Sequence, residues 1–398
     1  MFPAQHLPVG TRRVALIYDA TTPYDLQVVR GVTAYIQQRA KWSVYIEEST
    51  LKDQRLPDLG SWGGDGIIAD FDHPLVAAAV VRSKLPAVAF GSGYGWYAPK
   101  SQIPYFFTNN RAIARLGADH LLDKGFRHFA YCGYPKTPIN GWSEEREREF
   151  AGRLKERNFL CEVYRGRHRN RRNWAHMQAD LSVWLQSLPK PVGLMAANDN
   201  RARHVLEAAR LSGLKVPAEV AVIGVDNDEM LCGLSSPLLT SIEQGAQRIG
   251  YKAAALLDRI MGGNAPARKH YVIDPVGIVS RLSTDVLSVN DSQIADAMTF
   301  IKEHACDGIK VPDVVTAVRA SRSSLDARFK SALGRTLHTA IRDVQLEQAR
   351  SLFLQSTLSP KEVAASTGFR SVQHMSSLFR EAYGLPPAEY RRSVRMSG

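Results

Sequence analysis

Ser359-Pro360-Lys361-Glu362, followed by Gly368-Phe369 and Ser371, is the stretch around which this chain is organised. The first four residues open a helix. The serine hydroxyl caps a free amide of the first turn, and the glutamate reaches back to the serine amide. Proline fits the first helical position, where its missing N–H has no partner to lose. Gly368 and Phe369 break that helix and Ser371 begins another. From Ser371 to Tyr383, Met375, Leu378, Phe379 and Ala382 recur at i, i+3, i+4 and i+7, which predicts a buried stripe. Val372, Gln373, Ser376 and Ser377 take the opposite face, and a glutamine there suits bidentate pairing with adenine.

A similar unit lies upstream. Between Ser321 and Ala332, Leu325, Phe329 and Ala332 are expected to face inward, with Arg322, Ser323, Asp326 and Lys330 outward. Arg322 and Lys330 suit phosphate contacts better than base edges. One such helix pair reads equally well as a plain bundle whose polar face meets water. Two units joined by a long helix at 337–355 read as a paired helix-turn-helix reader. Recognition helices on one rigid body can enter successive major-groove faces about 34 Å apart. Further helices are expected at 294–305 and 312–320.

Before this helical region the pattern is different. Apolar runs at 14–18, 44–46, 66–69, 87–90, near 129, near 163, 192–196 and 220–225 read as strands. Helices are expected between them at 25–39, 73–81, 111–122, 143–157, 177–186 and 201–211. In the first helix Leu26, Val29, Val32 and Ile36 are expected near one face. Strands interleaved with amphipathic helices predict parallel sheets covered on both faces. So many strands fit two α/β lobes better than one sheet. The expected division is a short segment at 1–11, a two-lobed α/β domain at 12–282, a linker at 283–292, an all-α reader at 293–393 and a tail at 394–398.

Composition agrees with a folded protein of two or three domains: 398 residues, 44% of them hydrophobic. No apolar run approaches the ~18 residues a membrane span needs, and the start carries no apolar signal core, so the chain is expected in the cytoplasm. Cys132, Cys161, Cys232 and Cys306 lie far apart without a CxxC pair and read as reduced thiols. The net charge of +12 suits a polyanionic partner. However, only 15 Lys/Arg against 11 Asp/Glu lie from Ser288 onward, so charge alone does not mark the DNA reader. The densest basic cluster is Arg165, Arg167, Arg169, Arg171 and Arg172. It reads as a solvated loop, with a phosphate-binding patch as the alternative.

Polar residues recur where the predicted strands end, which is where open α/β sheets bind ligands. Tyr24 and Asp25 follow the first strand. Asp70 follows 66–69; Gly91, Ser92 and Gly93 follow 87–90; Asn198 and Asp199 follow 192–196; Asp226 and Asn227 follow 220–225. Each aspartate alone reads as a helix cap or turn residue. Together they read as a site for a small polar ligand such as a sugar, whose hydroxyls both donate and accept. No GxSxG, Walker A loop, GxGxxG or HExxH occurs, so catalysis is not expected, nor is a metal or cofactor. His168 and His176 are poorly spaced for a metal, and Asp70 with Asp72 is weak evidence for acid–base work.

The carboxyl-terminal segment resembles the AraC-type DNA-binding domain. The likeness rests on Ser321, Leu325, Phe329 and Lys330; on Ala349 and Leu352; and on Val363, Ala364, Gly368, Phe369, Ser371, Phe379, Gly384, Pro387, Tyr390 and Arg391. It departs at Ala320, where a turn glycine is usual, at Gln345, where a basic residue is usual, and at Pro386, where a threonine is usual. The resemblance implies that Arg322, Ser323, Asp326, Val372, Gln373 and Ser376 face double-stranded DNA.

The earlier region resembles the ligand-binding core of the lac- and galactose-repressor family, related to periplasmic sugar-binding proteins. The matching stretches are 65–68, 143–146, 197–199, 223–227 and 236–244. By that likeness Arg146, Asn198 and Asp226 contact sugar, with Asp70 and Gln244 at other pocket positions. In that family the DNA-binding domain sits at the other end of the chain. The fusion as a whole resembles the bacterial xylose operon regulators, on 24–25, 46–48, 65–72, 201–204 and 305–311. This resemblance implies D-xylose as effector, activation of xylose-catabolic promoters, contact with RNA polymerase and a homodimer on DNA. A repressor, or a response to another pentose or hexose, uses the same parts. The site residues expected from both arguments are Tyr24, Asp25, Asp70, Ser92, Arg146, Asn198, Asp226 and Gln244.

Overall fold

The computed structural model describes residues 10–46, 59, 62–92, 102–137, 140–166, 174–264, 269–285, 292–333, 336–355, 358–383 and 385–395. Expectations on Gly93, Glu47, Glu48, His168, Gly384 and Arg167, Arg169, Arg171 and Arg172 lie outside the described residues. Two compact units divide at Thr284.

The first unit holds two six-stranded sheets. One lobe is built from β1 (Arg12–Ile17), α1 (Pro23–Arg39), β2 (Trp42–Ile46), β3 (Gly66–Asp70), α2 (Pro74–Ser83), β4 (Ala87–Gly91) and β5 (Tyr105–Thr108). The chain then crosses to the other lobe with α3 (Asn110–Asp123), β6 (His128–Cys132), α4 (Gly141–Lys155), β7 (Cys161–Tyr164), α5 (Trp174–Ser187), β8 (Val192–Ala196), α6 (Asp199–Leu211), β9 (Val220–Val225), α7 (Glu229–Leu234) and β10 (Thr240–Glu243). It returns for α8 (Ala246–Met261) and β11 (His270–Ile273), then crosses back as β12 (Gly277–Val279). The strand orders are β11-β5-β4-β3-β1-β2 and β12-β10-β9-β8-β6-β7. All pairings are parallel except β12 on β10. Strands β3, β4, β8 and β9 are buried along their whole length. Helices cover both faces, which is why their sequences are continuously apolar rather than alternating.

Three segments connect the lobes, and they are tied to one another. The Asn109 amide donates to Ile273 O at 2.9 Å, and the Val276 amide to Glu243 O at 2.7 Å. Asn109 Nδ2 donates to Asp274 Oδ1 at 2.8 Å.

The core face of α1 differs from the expected one. Leu26 is exposed, and the buried residues are Asp25, Gln27, Val28, Gly31, Val32 and Tyr35. The cause is α8. A Cβ on Gly31 would stand 2.0 Å from Gln247 O, and one on Gly250 1.8 Å from Val28 O. The two helices therefore cross backbone on backbone, and this contact sets the rotation of α1.

Leu282–Thr284 forms a 3-10 turn belonging to the second lobe. Ser283 Oγ donates to Val222 O at 2.5 Å and accepts from the Thr240 amide at 2.8 Å. His120 Nε2 lies 2.9 Å from Thr284 Oγ1. The linker expected from Ser283 therefore starts too early: Ser283 and Thr284 are buried. Residues 286–291 of it lie outside the described residues.

The second unit contains α9 (Ser292–His304), α10 (Val311–Ala317), α11 (Arg322–Leu333), α12 (Leu337–Gln355), α13 (Pro360–Ser366), α14 (Val372–Tyr383) and α15 (Pro387–Arg395). The Ser359 cap forms as expected. The Ser359 amide donates to Glu362 Oε2 at 2.7 Å, and the Glu362 amide to Ser359 Oγ at 3.3 Å. The core gathers Leu346, Ala349, Phe353, Val363, Ala364, Phe369, Met375 and Phe379. Ala382 is exposed, contrary to the expected stripe; Tyr383 and Tyr390 fill that end of the cluster instead. In the first turn the left-handed residue is Arg319 (φ 52°), one before Ala320. Gln345 is structural: its buried Nε2 donates to Ala305 O at 2.8 Å.

Gly250→Ala is expected to cost about 3 kcal/mol or more, because neither backbone at the α1–α8 crossing can yield. Gly152→Ala on α4, where an added Cβ meets nothing within 4 Å, is expected to gain about 0.5–1 kcal/mol. Urea unfolding of both variants checks the contrast.

Candidate functional site

The carboxyl ends of the strands bring one polar cluster together between the lobes. From the first lobe come Tyr24 and Asp25 at the start of α1, Asp70 at the end of β3, Asp72 just beyond it, and Ser92 after β4. Asp25, Asp70 and Ser92 are buried. Tyr24 Oη donates to Gly91 O at 2.9 Å. The Ser92 amide donates to both Asp72 oxygens, at 3.0 and 2.9 Å, and the Asp72 amide to Asp70 Oδ1 at 2.8 Å.

From the second lobe come Arg146 on α4, Asp226 after β9 and Gln244 after β10, all buried. Arg146 Nε donates to Asn110 Oδ1 at 2.9 Å, Nη1 to Ala197 O at 2.7 Å and Nη2 to Gln244 Oε1 at 2.8 Å. Its guanidinium carbon lies 4.8 Å from the centre of the Trp142 ring. Gln244 Nε2 donates to Asp226 Oδ1. Asp226 sits at φ 117°, a backbone state that side chains rarely adopt.

The lobes are joined through residues the sequence reading did not single out. Asn110 Nδ2 donates to Ser92 O at 2.8 Å and to Glu145 Oε2 at 2.9 Å, while its Oδ1 accepts from Arg146. Gln27 Nε2, on α1, donates to Asp226 O at 2.8 Å. An unbroken path thus runs from Asp72 through Ser92, Asn110, Arg146, Gln244 and Asp226 to Gln27. In the sequence, Asn110 reads only as a residue near a helix start.

Asn198 behaves differently. Its Oδ1 accepts from the Arg201 amide at 3.0 Å and from Tyr134 Oη at 2.9 Å, so its side chain caps α6. Asp199 is wholly buried and holds Ser241 Oγ at 2.6 Å and the Asp228 amide at 2.9 Å.

Burial dominates the electrostatics. It pushes the Asp25 carboxyl up to about 8, with the charge of Asp72 adding to the shift. Asp72 rises to about 6; burial outweighs its hydrogen bonds from Ser92 and Tyr105 and the field of Arg146. Asp70 and Asp226 rise well above the usual carboxylate range through burial, with Asp25 and Asp199 respectively adding to it. Carboxyls poised in this way can each donate or accept a hydrogen bond. With the Arg146 guanidinium they form a surface for a small molecule rich in hydroxyls. Among the described residues no group of three or more His, Cys, Asp and Glu is placed to hold a metal ion. The four cysteines are free thiols. No helix of the described residues is long and apolar enough to cross a membrane.

In the second unit Arg322 and Ser323 are exposed on α11. Asp326 is half-buried and lies 3.8 Å from Arg322. On α14 Gln373 is exposed, Ser376 is partly so, and Val372 packs against the core cluster.

Fold and site together define a transcription regulator: a two-lobed ligand core of the periplasmic-binding type followed by a helix-turn-helix unit. Residues 118–284 match the periplasmic binding protein-like domain family, 13–111 the XylR N-terminal domain and 314–393 a helix-turn-helix domain. The xylose operon regulatory protein of Escherichia coli K12 is 38% identical, over 95% of this chain and 96% of its own. That of Haemophilus influenzae is 34% identical, over 95% and 98%. A solved structure described as the xylose-binding transcription activator xylR is 37% identical with a TM-score of 0.66, covering 97% of this chain and 99% of its own. The chain belongs to the xylose operon regulator family, a family of transcription regulators and not of enzymes.

The Asp25 shift predicts a pH dependence. Between about 4 and about 8 the folded chain keeps a proton there that the unfolded chain has released. This contribution to stability is complete below the unfolded value and is lost as pH rises through the folded one. Asp25→Asn cannot titrate. Its unfolding free energy should therefore gain on that of wild type across this interval in denaturant titrations. A constant difference would contradict the assignment.

Proposed function

We propose that this chain is a D-xylose-responsive activator of xylose-catabolic promoters that acts in the cytoplasm as a homodimer and recruits RNA polymerase. The observation that carries the sugar site is the interlobe path through Asn110, Arg146, Gln244 and Asp226. It runs beside buried carboxyls at the strand ends, in a chain related to xylose operon regulatory proteins. Asp70, Asp72 and Asp226 accept from sugar hydroxyls, Arg146 donates to them, and Tyr24 and Trp142 offer ring faces to the apolar side of the sugar. Asn198 contributes through the α6 turn it caps.

The sugar favours the closed arrangement of the lobes only by its extra affinity for that form. Moving the balance from 1:99 to 99:1 takes roughly 5.5 kcal/mol. Two sites in a dimer reach this more readily than one. On the DNA, Arg322 and Ser323 with Gln373 and Ser376 supply the contacts to phosphates and base edges.

Calorimetric titration with pentoses and hexoses should show D-xylose bound most tightly. Asp226→Asn should weaken D-xylose by about 10- to 100-fold, the loss expected when a buried hydrogen-bonding group is left without its partner, and leave sugar-free DNA affinity unchanged. A variant that binds D-xylose as wild type does removes Asp226 from the site. Gln373→Ala should relax preference at one base pair by about 1–3 kcal/mol. Equal weakening on every sequence would show phosphate contact instead.

A further inference from the structure

Arg201, in the first turn of α6, is as deeply buried as Arg146, at 2% exposed, but is bonded quite differently. Its Nε and Nη2 have no well-aligned hydrogen-bond partner; Nη1 reaches Met177 Sδ at 3.6 Å, and the Cys132 thiol is the other sulfur beside the guanidinium. The rings of Tyr134 and Tyr164 have their centres 5.3 and 5.5 Å from its guanidinium carbon. The groups that act on its charge are Cys132 and these two tyrosines, and burial pushes the Cys132 thiol up. None of these neighbours is a carboxylate.

Arg165, close by, shows what is missing. Its Nε and Nη2 grip Glu147 side-on, at 2.8 and 2.5 Å. In Arg201 the same pair of donors meets no carboxylate or carbonyl, only the weakly accepting Cys132 thiol beside the guanidinium. Aromatic rings attract the cation but accept nothing from its N–H edge. Two further buried groups lack partners on adjacent stretches of chain: the Gln178 amide, next to Met177, and Thr137 Oγ1, three residues after Tyr134.

The position is one where this fold class takes ligands. Cys132 ends β6, Tyr164 ends β7, and Arg201 lies just beyond β8. A Cβ on Gly166 (φ +76°) would stand 3.2 Å from Arg201 Nη2, so the backbone lies close against the guanidinium edge there. Tyr134 Oη bonds Asn198, the neighbour of the Ala197 carbonyl that takes Arg146. The place adjoins the carboxyl cluster without sharing its side chains.

We propose that Arg201 anchors a small oxyanion, a phosphate or carboxylate group held side-on by Nε and Nη2. The group arrives either as a free anion or as the anionic end of a sugar derivative. Its chemistry is the same in both cases, and it does not depend on D-xylose being the effector.

The full chain is titrated calorimetrically with inorganic phosphate, D-ribose 5-phosphate and D-xylose, each at constant ionic strength set with sodium chloride. Wild type should bind at least one of the two phosphates. Arg201→Met should weaken that binding by roughly tenfold or more while leaving D-xylose binding in place. Arg201→Lys, which keeps the charge but loses the planar fork, should weaken it too and serves if the methionine variant does not fold. Binding of inorganic phosphate points to a free anion; binding of the pentose phosphate alone points to an anionic sugar. If wild type binds neither, or if either folded variant binds as wild type does, the proposal is overturned. The D-xylose titration tests the effector assignment separately.

Discussion

A guanidinium taken out of water must be met by acceptors on its whole edge, and the Arg146 network does this with groups drawn from the lobe crossings. Asn110 stands where the chain has just left β5 for the second lobe, and Gln244 where it is about to leave β10 for α8. Arg146 bonds both. Leaving such a buried charge half-paired is costly, so the positions of these two crossings and of α4 are coupled. The third crossing is tied to them through Asn109 and Glu243. Arg146 and Asp226 are therefore each one hydrogen bond away from the segments that connect the lobes.

The carboxyls line the same place. Asp25, Asp70 and Asp72 crowd together in the first lobe and are raised by burial and by each other. Burial holds Asp25 and Asp70 largely protonated near neutral pH, so that they donate as well as accept hydrogen bonds. Arg146 and Asp226 face them from the other lobe. The 3-10 turn at Leu282–Thr284 fixes the end of the first unit to the second lobe through Ser283, Thr284 and His120. The first unit thus ends on the second lobe.

Much of this was legible in the chain itself. Buried parallel strands announce themselves as apolar runs, and Asp70, Asp226 and Ser92 stand at their ends. The capping box at Ser359 is local chemistry and forms as read. What escaped depends on distant partners. The last strands of the first unit are only three or four residues long, too short for a pattern. The buried face of α1 is set by Gly31 meeting α8, so Leu26 could not reveal it. Asn110 resembles any polar residue near a helix start until Ser92 and Arg146 are brought to it. Asn198 does what its place before a helix announces: its Oδ1 caps α6, and it also accepts from Tyr134, which the sequence could not show.

The most direct test is the affinity of the full chain for xylose-promoter DNA, measured by fluorescence anisotropy with and without saturating D-xylose at one fixed salt concentration. Coupling through the interlobe network predicts a sugar-dependent shift of roughly 5- to 150-fold, the usual range for linked sites. DNA affinity that stays the same while calorimetry shows the sugar bound would contradict it.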